Sequence, residues 1–265
     1  MLQPILSSAR SRQESCLEHG AYLSYQMPSG QWSPCPICVQ EDIAKADKAH
    51  QYQSRRKAKE AVTTKQSLAR HLKAQIPPRF QSRTLENYQA YSPQQQRCLA
   101  TCQKYLAAFD DRYQQGGGLV LLGKPGTGKT HLAAAIGNAL LQQGRDVLFI
   151  DVYDLIDSIK EAAFDLKECS EFSARRRFTE VELLILDEVG VQLGTDWEKT
   201  TLFKVVNDRY KAGKPSILIS NLDRANFKHY IGDRIDDRMQ EGGGAFLSFD
   251  WPSYRAQAYH TGEAA

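Results

Sequence analysis

Over the C-terminal two-thirds of the chain, short apolar runs alternate with longer stretches that mix charged and apolar positions. LVLLG (119–123), VLFID (147–151), LLILDE (183–188), SILISN (216–221) and AFLSF (245–249) are five such runs. Runs of this length, apolar at consecutive positions, are the pattern of strands covered on both faces. Helices are predicted between them, over 129–142, parts of 152–181, 197–211 and 226–240, with Gly144 and Gly213 as stops. Strands alternating with helices predict an α/β fold with a mainly parallel five-stranded sheet flanked by helices.

The N-terminal third is patterned differently. Residues 1–15 are polar and aperiodic, and 16–38 mix Gly, Pro, Ser and aromatics, which favours short strands and turns. From 41 to 74 the chain is rich in Ala, Lys, Arg and Gln with no Gly or Pro, predicting a long, exposed basic helix. Pro77 and Pro78 stop it, and 79–91 reads as a linker into Pro93 and a helix over 94–113. The expected organisation is an arm (1–75), a linker (76–92) and an α/β domain (93–265).

Charge sharpens that division. Residues 1–75 hold 11 Lys and Arg against 6 Asp and Glu, net +5, while the remainder holds 23 against 25, net −2. A basic head on a near-neutral body suggests separate tasks. A composition of 42% apolar and 25% charged residues excludes a disordered or fibrous chain. No apolar run approaches the roughly 18 residues that span a bilayer. The opening MLQPILSSARSRQ lacks the basic-then-apolar order of an export signal. A cytoplasmic protein with no membrane partner is expected, and its six cysteines are then reduced thiols or metal ligands.

The first candidate chemistry lies after the first apolar run. Gly123-Lys124-Pro125-Gly126-Thr127-Gly128-Lys129-Thr130 matches G-x-x-x-x-G-K-[ST] between a predicted strand and a predicted helix. The glycines let backbone N–H groups wrap phosphates, and the helix N-terminus favours the same anion. Lys129 would reach the β- and γ-phosphates of ATP, and the Thr130 hydroxyl would ligate Mg²⁺. Asp187 and Glu188 end the third run at the edge where such sheets bind ligands. Asp187 would complete the Mg²⁺ shell and Glu188 would polarise the attacking water. Asn221, ending the fourth run, would orient that water or else form a turn or cap. Arg234 and Arg238 lie four apart on one predicted helix face; each is a candidate arginine finger or a partner for Asp233 or Asp237.

The second candidate chemistry is a metal set. Cys16-x-x-His19 and Cys35-x-x-Cys38 are separated by fifteen residues, and two such pairs can close a tetrahedral Zn²⁺ site from two knuckles. With four protein ligands no position is left for catalysis, so the site reads as structural. The basic helix that follows is either a solvated face or a surface for an acidic partner or nucleic acid. Trp32, Tyr22 and Tyr25 either pack the knuckle or stack on bases.

IPPRFQSRTLENY, GKPGTGKTHLAAAIGNAL, LLILDEVG, LISNL, GDRIDDRM and FDWPSYR together make residues 76–255 resemble the DnaC-type helicase loaders of the AAA+ ATPases, in the DnaC/IstB-like branch. The resemblance implies a P-loop AAA+ core and an ATPase that binds the replicative hexameric helicase and delivers it onto single-stranded DNA. It implies an ATP site between self-associated protomers, with Asn221 as first sensor, Arg238 ahead of Arg234 as a finger acting in trans, and Arg255 sensing nucleotide. The insertion between the second and third strands would touch single-stranded DNA through Arg175, Arg176, Arg177 and Phe178. The N-terminal arm, in a zinc-bearing form similar to that of phage-like loaders, would grip the helicase. The alternative is an IstB-type transposition helper, an ATPase acting on duplex DNA with a transposase. A metal-stabilised DNA-binding module with an inactive ATPase is opposed by the intact Lys129, Thr130, Asp187 and Glu188.

Overall fold

The computed structural model describes residues 10–164, 171–191 and 195–254. It divides into two compact units, 1–65 and 66–265.

In the first unit, β1 (Ser11–Cys16) and β2 (Gly20–Tyr25) form an antiparallel hairpin, with Cys16 opposite Gly20. The polar run before residue 16 is therefore a strand, set by hairpin pairing rather than by its own alternation. The basic helix α1 (Pro36–Ala74) begins in this unit at Pro36, five residues earlier than its composition suggests, because proline suits a helix start, and its residues 66–74 belong to the second unit. It ends before Gln75, whose φ of 54° leaves helical geometry.

In the second unit, α2 (Pro93–Ala107) opens on a capping box between Ser92 and Gln95. The single helix expected over 94–113 is broken at Ala108, and α3 (Phe109–Gln115) follows. The sheet comprises β3 (Leu119–Gly123), β4 (Val147–Asp151), β5 (Leu183–Asp187), β6 (Ser216–Ser220) and β7 (Ala245–Phe249). Its spatial order is β4-β5-β6-β3-β7, and every pairing is parallel. The connecting helices are α4 (Lys129–Gln142), α5 (Val152–Phe164), α6 (Glu171–Glu180), α7 (Asp196–Lys211) and α8 (Arg224–Gln240).

The uninterrupted apolar runs are explained by two cores, one per sheet face. Leu119, Leu121, Ile185 and Ile217 face the layer containing α4, whereas Val120, Leu122, Leu184 and Leu218 face the layer containing α5, α7 and α8. The segment 76–92, expected as a linker, is folded onto α4. Asn138 of α4 donates to the carbonyls of Phe80 (2.9 Å) and Arg83 (2.8 Å), and Leu85 and Tyr88 are buried.

Candidate nucleotide and metal sites

The loop after β3 curls over the carboxyl edge of the sheet. Gly126 and Gly128 both have left-handed backbones, with φ of 74° and 95°. Both are also closely approached: a Cβ on Gly126 would lie 2.0 Å from Ser253 Oγ, and one on Gly128 2.6 Å from the Tyr88 ring. Glycine is therefore needed at each position for conformation and for space. Lys129 is 5% exposed and donates to the carbonyls of Gly123 (2.6 Å) and Lys124 (2.7 Å), so its ammonium is held within the loop.

Facing it, the Thr130 hydroxyl donates to Asp187 Oδ2 at 3.1 Å. The Glu188 N–H donates to Asp187 Oδ1 at 2.8 Å. Burial pushes the Asp187 carboxyl up, while the Glu188 N–H and the Thr130 hydroxyl pull it down. A hydroxyl and a carboxylate oxygen at this separation form a hard-oxygen donor set suited to Mg²⁺. Glu188 itself has φ of 58°, a left-handed conformation that costs a non-glycine residue energy and recurs at functional sites. Asn221 Nδ2 donates to Glu188 Oε2 at 3.1 Å. The N-cap of α8 is Asp223, not Asn221. Sequence reasoning left Asn221 between water-orienting and capping roles, and its side chain meets Glu188.

Residues 125–130, Asp187, Glu188 and Asn221 line one cavity of about 630 Å³. Gly123 and Lys124 stand behind it as the acceptors for Lys129. An adjoining cavity of about 560 Å³ shares Thr130, Asp187 and Glu188 and is lined by Asp151, Asp154, Asp157 and Glu161. There the charge of Asp151 pushes the Asp154 carboxyl up.

The candidate arginines are elsewhere. Gly232, with φ of 76° and ψ of 157°, kinks α8, and both arginines follow the kink. Neither is paired as the structural alternative expected: Asp233 pairs with Lys228 at 3.1 Å. Arg238 donates to Asn207 and lies over the Tyr210 ring, its guanidinium carbon 4.6 Å from the centroid. Arg234 is exposed. Arg255 lies outside the described residues, as does Cys169.

The expectation that Phe178 offers an aromatic surface to single-stranded DNA is corrected. Phe178 is 1% exposed and belongs to the core beneath α6, while Arg176 is engaged by Glu180 four residues on. Sequence reasoning also missed functional neighbours. Tyr88, His131 and Trp251 line the same cavity as the phosphate loop. The signal available was their place beside the loop in the folded topology, which only long-range packing reveals.

In the N-terminal unit, the ligand atoms of Cys16, His19, Cys35 and Cys38 all lie within 4.8 Å of one another. Cys16 and Cys38 sulfurs are 3.6 Å apart, and His19 Nδ1 is 3.3, 3.7 and 3.8 Å from Cys38, Cys16 and Cys35. Zn–S bonds of about 2.3 Å and Zn–N bonds of about 2.0–2.1 Å put tetrahedral ligand atoms about 3.5–3.8 Å apart, so the cluster is compatible with zinc. His19 Nε2 meets Glu41 Oε1 at 3.3 Å, the outer carboxylate contact typical of a ligating histidine. Within the cluster, the N–H groups of Glu18 and His19, with the His19 ring, lower the Cys16 thiol to about 6, while the contact with Cys16 and burial push the Cys38 thiol up. Trp32 carries the Arg12 guanidinium 4.1 Å over its ring, and Tyr22 donates to Glu14.

A sequence profile described as IstB-like ATP binding protein matches residues 52–239. The replicative helicase loader DnaC of Escherichia coli (strain K12) is 34% identical over 182 residues, 69% of this chain and 73% of that protein. The loader of the same name from Buchnera aphidicola subsp. Schizaphis graminum is 33% identical over 172 residues, 65% and 69% of the two chains. A crystal structure of the DnaC helicase loader aligns with a TM-score of 0.58 at 24% identity, covering 66% of this chain and all of that one, and so shares its fold. The parallel sheet, the phosphate loop opposite paired carboxylates, and these matches together mean that the chain belongs to the IstB-like ATP binding family, as a DnaC-like AAA+ protein.

Proposed function

We propose that this protein hydrolyses ATP to ADP and phosphate and uses the cycle to load the replicative hexameric DNA helicase onto single-stranded DNA. The observation that carries the reading is the contiguous set Lys129, Thr130, Asp187, Glu188 and Asn221 around one cavity, in a chain about one-third identical to curated loaders. Lys129 neutralises the β- and γ-phosphates once it exchanges loop carbonyls for phosphate oxygens. Thr130 and Asp187 would hold Mg²⁺, which would supply positive charge against the phosphates. Glu188 accepts the proton of the attacking water, and Asn221, bonded to the Glu188 carboxylate, fixes its direction. Asn221 also senses the γ-phosphate from that position.

Positive charge at the transition state comes from a neighbouring protomer in this reading. Arg238 and Arg234 are the two candidates, and Arg255 contributes to nucleotide sensing. Arg238 would have to leave Asn207 and Tyr210, whereas the exposed Arg234 starts from solvent. The zinc-held hairpin and the basic helix would form the helicase-gripping arm, with Leu17, Leu23 and Ile43 among its exposed apolar residues. No helix among the described residues is long and apolar enough to cross a membrane. The reading has the protein act on DNA in the cytoplasm.

The second reading, a transposition helper on duplex DNA, is favoured by the family description that the profile carries. Capture by tagged replicative helicase, compared with capture by a transposase, separates the two. Retention on helicase together with ATP-dependent transfer of helicase to single-stranded DNA supports the loader; retention only on transposase overturns it.

A further inference from the structure

The carbonyl oxygen of Thr127, in the middle of the phosphate loop, accepts two side-chain hydrogen bonds. One comes from Trp251 Nε1 at 3.0 Å and the other from the Tyr88 hydroxyl at 3.3 Å. The donors belong to segments 163 residues apart, on opposite sides of the loop in sequence. In a trans peptide the C=O and N–H of one peptide unit point in opposite directions. Holding the Thr127 oxygen therefore turns the Gly128 N–H away from both rings. The preceding peptide is held in the same manner, because the Tyr254 N–H donates to the Gly126 oxygen at 2.9 Å.

Both donors are themselves fixed. Tyr88 is buried, packs against Gly128, and meets the His131 ring edge-on at 5.2 Å. His131 is tied in turn to the Thr84 carbonyl (3.1 Å) and Asn87 (2.9 Å). Trp251 is buried against Phe249, with ring centroids 4.8 Å apart, at the end of β7. Burial also pushes the Tyr88 phenol up, so it remains a donor. A carbonyl that could rotate toward the phosphates would repel them; the two donors on the Thr127 oxygen oppose that rotation and polarise the peptide, strengthening its N–H.

We propose that Tyr88 and Trp251 are positioning residues for nucleotide phosphate, acting through the Thr127–Gly128 peptide to present the Gly128 N–H to the ATP phosphates. This rests on the reading that the loop binds ATP. It assigns a role to the two aromatic residues that flank the core, one before α2 and one after β7.

The test uses the full-length protein, with Tyr88→Phe and Trp251→Phe alone and combined. Each keeps an aromatic ring and removes the donor. ATP binding is measured by equilibrium dialysis and hydrolysis by phosphate release. Each single change should weaken ATP binding by about two- to tenfold, the range for one hydrogen bond, and the pair should lose more than either. The loss should fall on KM with kcat retained. Trp251→Phe also vacates volume, so a second substitution replaces the indole at 251 with its benzothiophene isostere, which keeps shape and lacks the N–H. Binding by the isostere or by the double variant within twofold of wild type overturns the proposal, as does a fall in kcat at unchanged KM. Lys129→Ala in the same dialysis separates this from the underlying reading. If wild type itself binds no ATP, the ATP reading fails; if wild type binds and Lys129→Ala does not, while the donor variants bind as wild type, only the positioning role fails.

Discussion

Arg209 offers a prediction whose size follows from counting bonds. It lies near the end of α7, is 0% exposed, and has no carboxylate partner in its hydrogen-bond set. Instead its Nε donates to Ser216 Oγ at 2.9 Å. Nη1 donates to the carbonyls of Phe178 (2.8 Å) and Val181 (2.9 Å). Nη2 donates to those of Glu182 (3.2 Å) and Pro215 (2.5 Å). These five bonds use every N–H that a guanidinium has. Burial lowers the group to about 9, so it is still charged at neutral pH. The acceptors are the chain immediately before β5 and the chain entering β6, the two strands that end in Asp187 and lead into Asn221. Arg209 thus fixes the relative placement of the carboxylates and the amide from the opposite end of the sheet.

Arg209→Lys offers at most three donors for five acceptors, leaving at least two buried acceptors unpaired. At about 1–3 kcal/mol for each orphan, the loss is about 2–6 kcal/mol. Total stabilities are only about 5–15 kcal/mol, so this is a large fraction. Urea unfolding followed by circular dichroism should show the midpoint falling at unchanged slope. The melting temperature should drop by at least about 4 °C, taking about 2–4 °C per kcal/mol for a unit of this size. Lys211→Arg, on the exposed end of the same helix, is the control and should stay within about 0.5 kcal/mol. A loss under about 1 kcal/mol for Arg209→Lys would mean that the five bonds are not the support described, and the coupling between β5 and β6 would have to be sought elsewhere.

Asp187→Asn should raise the melting temperature of the nucleotide-free protein at pH 7 while abolishing hydrolysis. The native carboxyl is raised by burial, so its favourable contribution exists below the unfolded pKa and is lost as pH rises through the folded value; at pH 7 the charge is a net cost that asparagine removes. An unchanged or lower melting temperature would contradict this. Purified protein should carry one Zn²⁺ per chain by elemental analysis, and Cys35→Ser should release it; an arm that keeps its circular dichroism in chelator without metal would refute the site. Glu188→Gln should bind ATP and retain it unhydrolysed, checked by single-turnover phosphate release. Arg238→Ala and Arg234→Ala should each bind ATP; the one that is the finger should lose about 10³–10⁵ in hydrolysis and regain activity when mixed with Lys129→Ala protein on single-stranded DNA. Full hydrolysis by a strictly monomeric form would refute a finger acting in trans.

What could be read from the sequence was what is local. The apolar runs gave all five strands of the sheet to within a residue, because a strand buried on both faces leaves no polar position to blur its ends. Gly126 and Gly128 were legible because their conformations and the space around them admit only glycine. Pairs spaced by two residues announced Cys16, His19, Cys35 and Cys38, since a knuckle is a local turn. What escaped was whatever depends on distant chain. The polar strand β1 exists only through its pairing with β2, and the charge run at 175–177 does not reveal that the following Phe178 points into the core. Arg209, one cation among 34, has a role defined by carbonyls from two other segments, and carbonyls have no sequence signature. The same holds for Tyr88 and Trp251, which meet on one carbonyl although 163 residues separate them. Residues that touch phosphate must be of particular types at particular spacings, so they form a motif. Residues that aim the backbone touching it need only a donor in the right place, which many sequences can supply from many positions.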